Sequence, residues 1–191
     1  MSLHPYDIWP DSLAWIVWWA APEGRLPMLQ LPPFPLPLTG LLLWALLCAI
    51  QDARQKRISN WLTFGMAALS SILLLHQGHS ISGAGPGATL LALAIALAFS
   101  LPGYFRGEMG AGDVKLLGAL ALASSPMHVL GSISLAGLGM VSWAFIGSRL
   151  WQRLSPGLQQ HLARLDPTSG SKLPYAPFLL LGLLPTLLLL A

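Results

Sequence analysis

Two aspartates, Asp52 and Asp113, are the residues of this sequence best placed to do chemistry. Of the seven acidic residues, Asp7, Asp11 and Glu23 fall in the N-terminal segment and Asp166 in a polar stretch, where a solvated carboxylate suffices. Asp52, Glu108 and Asp113 instead stand at the mouths of long apolar runs. An ionisable group at membrane depth is costly and calls for a functional reason. If Asp52 and Asp113 meet, the two carboxylates cannot both ionise cheaply, so they share a proton. The ionised member can then take a proton from water while the protonated member polarises a scissile carbonyl. Such a pair titrates as a unit, so the type of residue does not say which aspartate is the base.

The local sequence supports this reading unequally. Asp113 ends Gly110-Ala111-Gly112-Asp113 and precedes Val114-Lys115-Leu116-Leu117. Glycines without Cβ allow tight backbone and close approach of another segment. The aspartate then falls at a helix start, where free N–H groups and the dipole favour a carboxylate. The plainer alternative makes Asp113 an N-cap and Lys115 an interfacial anchor, which leaves the glycines without a purpose. Asp52 is followed by Arg54, Lys56 and Arg57, so a simple loop ion pair is its competing explanation. Asn60 is expected to cap the next helix. Glu108 reads as a mouth residue facing a base or a basic substrate segment.

These residues need a membrane scaffold to bring them together. The 191 residues are 54% hydrophobic and only 9% charged, against roughly 25% in soluble domains, and the mean hydropathy is +0.65. The expected fold is an all-α, polytopic integral membrane protein with about six transmembrane helices. The apolar runs lie at about 37–52, 60–76, 86–104, 113–125, 126–150 and 174–191, with a tight hairpin at Ser124-Ser125-Pro126. Residues 1–36 form a separate Trp- and Pro-rich segment, whose run Leu13–Ala21 is too short to span. It is expected to lie at the interface, leaving 37–191 as the membrane domain. Nine of the ten Lys and Arg residues fall in or at the edges of alternate loops, after the first run, between the third run and the start of the fourth, and around the end of the fifth, and Arg25 alone falls opposite. The positive-inside rule therefore places the N-terminus outside and both aspartates at the cytoplasmic mouth.

Other classes find less support. A net charge of +3 comes without a continuous basic face or an RNA-reading motif, so nucleic acid is not an expected partner. Cys48 is a lone thiol in an apolar run, and His4, His76, His79, His128 and His161 lack metal-ligand spacing, so no metal site is expected. No histidine lies in the same cytoplasmic active-site segments as a candidate serine, and Gly83–Gly87 reads as a turn rather than a nucleotide loop. No cleavable signal peptide is expected, because acids stand where its basic region would be. A proton-coupled transporter component or a non-catalytic pilus-assembly subunit are the rival classes.

The sequence resembles the type IV prepilin peptidases, which are GxGD intramembrane aspartic peptidases. Gly110-Ala111-Gly112-Asp113-Val114-Lys115-Leu116-Leu117 is similar to their GxGD segment. Asp52 with Arg57-Ile58-Ser59-Asn60-Trp61-Leu62-Thr63 is similar to their other catalytic segment, except that Ser59 replaces the usual proline. Pro174-Tyr175-Ala176-Pro177-Phe178 resembles their last-helix signature. The resemblance covers roughly residues 37–191. It implies that Asp52 and Asp113 are the catalytic pair, with Gly110, Gly112, Lys115 and Glu108 shaping the site or binding substrate, without cofactor. It also implies prepilin or pseudopilin substrates, cut at the cytoplasmic face of the bacterial inner membrane. The paired CxxC region of the longer methylating forms is missing, so the chain is similar to the short forms that serve Flp or tight-adherence pili.

Overall fold

A computed structural model describes residues 36–153, 155, 157, 159, 165–166 and 173–190. The expectation for residues 1–35 therefore lies outside the described residues. Among those described there are six helices and no strand: α1 (Leu36–Gln55), α2 (Asn60–Gln77), α3 (Pro86–Phe105), α4 (Ala111–Ala123), α5 (Pro126–Trp151) and α6 (Ala176–Leu190). Each covers one of the six apolar runs. Proline at the first position starts α3 and α5, where its missing N–H costs nothing. The hairpin before α5 is closed by Ser125, whose hydroxyl accepts the His128 N–H.

The helices are not six equal spans. By length and composition α1, α3 and α5 can each cross a bilayer. At 13 residues α4 is too short for that, and nearly all of its side chains from Leu116 to Ala123 are buried. A helix that is apolar on every side belongs inside the protein. It packs against α2, α3 and α5 as a central pillar, while α6 lies between α1 and α5. Leu43, Leu47, Phe64, Ile72, Leu75, Leu91, Phe99, Val141, Phe145 and Leu181 face outward, as lipid requires. Buried Thr63, Thr89, Ser124, Ser132 and Thr186 return their hydroxyls to backbone carbonyls of the preceding turn.

Between α5 and α6 the contact is made through small residues, the usual device of helices in lipid. A Cβ on Gly182 would collide with the Ser132 carbonyl oxygen, and one on Gly131 would stand 2.7 Å from Thr186 Cγ2. Gly137, on the same helix, has nothing within 4 Å of its hypothetical Cβ. Gly182→Ala is therefore expected to destabilise the protein by about 2 kcal/mol, the usual cost of overpacking. Gly137→Ala is expected to be neutral or stabilising. Unfolding of both variants in mixed micelles measures the difference, and equal stabilities would refute this apposition.

Candidate active site

Asp52 lies on the last turn of α1 and is only 5% exposed. The helix ends just beyond it. Lys56 takes a left-handed φ of 50°, and its N–H closes on the Asp52 carbonyl at 2.8 Å. The connection then folds back, with the Ser59 N–H donating to Gln51 Oε1 at 2.9 Å. Ser59, not Asn60, caps α2: its backbone is extended and its hydroxyl accepts the Trp61 N–H at 3.3 Å. This corrects the expectation for Asn60, which is instead the first helical residue. Its side-chain oxygen accepts a hydrogen bond from Lys115 Nζ on α4 at 2.9 Å. The Lys115 ammonium also stands 5.1 Å from the Phe64 ring centroid, a favourable cation–π distance.

Asp113 occupies the third position of α4, behind the N-cap Gly110. Its Oδ2 accepts the Gly110 N–H at 3.1 Å, which is the side-chain half of a capping box. The two glycines differ in what they do. A Cβ on Gly110 would stand 3.2 Å from Asp113 Oδ2, tight enough to press on the carboxylate. On Gly112 a Cβ would meet the Ile58 Cβ at 3.7 Å, an ordinary contact, so that position brings the α1–α2 connection close without demanding glycine.

These segments enclose one open cavity of about 280 Å³. Asp52, Asp113, Lys56, Arg57, Ile58, Asn60, Lys115 and the Gly110–Gly112 turn line it. Its volume admits several waters, each occupying about 30 Å³. The two carboxylates are near enough for the charge of Asp52 to act on Asp113. Asp52 Oδ2 is held from another direction by the Ala176 N–H at 3.0 Å, across 124 positions of sequence. The site thus gathers the mouths of α1, α2, α4 and α6.

Five of the six residues singled out by sequence, Asp52, Gly110, Gly112, Asp113 and Lys115, line this cavity. Glu108 is exposed on the α3–α4 turn and is not among the lining residues. Among the described residues no cluster of three or more His, Cys, Asp and Glu side chains could hold a metal ion. Asn60 and Ala176 belong to the site as well; the sequence reading had both inside family-like segments but gave neither a role there. For Asn60 the available signal was Ser59, an equally good cap one residue earlier. Ala176 acts through its backbone, which carries no residue-specific signal.

The family model described as the type IV leader peptidase family matches residues 39–146. No curated protein and no solved structure matches the chain. The matched stretch holds Asp52, Asn60 and the whole Gly110–Lys115 segment, and ends before α6.

The approach of Ile58 to Gly112 can be trapped. Ile58→Cys with Gly112→Cys would place two Cβ atoms about 3.7 Å apart, within the range that a disulfide bridges. Mild oxidation is expected to link the two peptides, read by mass spectrometry. Buried Cys48 does not compete. Failure of this pair to link in the inserted protein would contradict the cavity.

Proposed function

The chain belongs to the type IV leader peptidase family, and from that premise we propose that it is a membrane-embedded aspartic endopeptidase acting through Asp52 and Asp113. The observation that carries this is the convergence of two carboxylates, 61 positions apart, on one cavity that admits several waters. One ionised aspartate accepts a proton from water as the water oxygen bonds to the scissile carbonyl carbon. The protonated aspartate donates to the carbonyl oxygen, and the tetrahedral intermediate then collapses with protonation of the leaving amine. The C–N bond breaks, one carboxylate and one amine are released, and no electron is gained or lost. General acid–base work of this kind contributes about 10²–10⁴-fold.

The substrate proposed is a single-span prepilin or pseudopilin whose basic leader is removed at the cytoplasmic face of the bacterial inner membrane. Charge supports this orientation, because Arg54, Lys56, Arg57, Arg106, Lys115, Arg149 and Arg153 lie near the end of α1, between α3 and the start of α4, and at the end of α5, the alternate helix ends on the side of the two aspartates. Three basic side chains line the cavity itself, so the leader's own basic residues would be repelled from it. They would rest among headgroups and near exposed Glu108, leaving an uncharged scissile segment to enter. That segment must leave its helix first, since helical carbonyls are already bonded. Residues 37–191 are proposed as the peptidase domain, of the short form serving Flp-type pili, with no organic cofactor or metal.

Asp52→Asn and Asp113→Asn are each expected to lower the rate of prepilin shortening by about 10³-fold or more while insertion is retained. Mass spectrometry of a co-expressed candidate prepilin reads the outcome. Undiminished shortening by either variant would exclude the paired-aspartate mechanism, and the rival transporter reading predicts that outcome.

A further inference from the structure

The family match ends at residue 146, yet the N-terminus of α6 reaches the cavity's least exposed aspartate. Ala176 is the first residue of α6 and is 2% exposed. Its N–H has no partner within the helix and lies at the positive end of the dipole. The next residue, Pro177, has no N–H to offer. Proline at 174 and 177 fixes φ on both sides of the dipeptide Tyr175-Ala176. The half-buried Tyr175 side chain packs on the core.

Building on the peptidase reading, we propose that the first turn of α6 is a positioning element for hydrolysis. The Ala176 N–H holds Asp52 Oδ2 so that the other oxygen is presented to the cavity. The role is separate from capping α6, because a cap would be satisfied by any acceptor. Here the acceptor is a carboxylate of the site itself.

Ala176→Pro removes the N–H at the helix position where proline is best tolerated. It is expected to lower kcat by roughly ten- to hundredfold, the effect of losing a hydrogen bond to a charged group, with KM within about twofold. Ala176→Gly keeps the N–H and is expected to stay within about threefold of the parent. A folded Ala176→Pro protein that cleaves at the parent rate would overturn the clamp, as would Ala176→Gly losing as much as the proline variant. Hydrogen exchange tests the same bond without a substrate and without the proline. Asp52→Leu should accelerate exchange at the Ala176 amide, whereas Asp52→Asn, which retains an acceptor, should not. Unchanged exchange in Asp52→Leu overturns the proposal. If the parent chain shortens no prepilin, the peptidase reading fails, while the exchange result still decides the clamp.

Discussion

A carboxylate placed between helices must have its oxygens satisfied, because burying an unpartnered charge costs several kcal/mol. Asp52 is nearly covered, and its hydrogen bond comes from the first residue of a helix 124 positions away. That requirement reaches well beyond one side chain. It fixes the start of α6 at the end of α1, so that α6 runs back between α1 and α5. Once α6 is there, its glycine face must meet α5, where Gly182 leaves no space for a methyl group. A polar contact at one end of the bundle thus sets the register of an apolar contact deeper inside it.

The second aspartate is placed by a different device. Asp113 stands at the third position of a helix too short to cross the membrane, surrounded by α2, α3 and α5. Because α4 is wrapped on all sides, its start does not have to lie at the lipid surface. It is set by what it touches: Ile58 over Gly112, and Asn60 bonded to Lys115. Both contacts come from the segment immediately following Asp52. The connection that leaves one aspartate therefore locates the helix that carries the other.

Much of the scaffold was legible in the sequence. Apolar runs bounded by Pro86, Pro126 and clustered basic residues gave all six helices to within a few residues, since lipid and helix-starting proline are local constraints. The burial of α4 was less legible. Its run, Leu116–Ala123, reads equally as a lipid-facing span, and only the neighbours decide between the two. Ser59 and Asn60 are likewise both good caps by type. The choice was made by distant partners, Gln51 taking the Ser59 N–H and Lys115 taking the Asn60 oxygen. Ala176 stood inside the Pro174–Phe178 segment, but its contact with Asp52 was not readable there, because a backbone donor is common to almost every residue type.

The depth of the aspartates bears on substrate choice. Asp52 lies three residues before the end of α1 and Asp113 two residues after the start of α4. At 1.5 Å per residue each is within about 5 Å of its helix mouth. On the proposed reading, the reacting peptide bond must come equally close to the interface, while the remainder of a substrate's apolar helix stays in lipid. A basic leader would then act as a stop, its charges held at the headgroups and repelled by Lys56, Arg57 and Lys115 around the cavity. Depth would be read by charge and hydrophobicity together, and an apolar helix lacking such a leader would have nothing to hold its first residues at that level. Selection among membrane substrates would then need little side-chain recognition, consistent with a cavity lined mainly by charged groups and glycine.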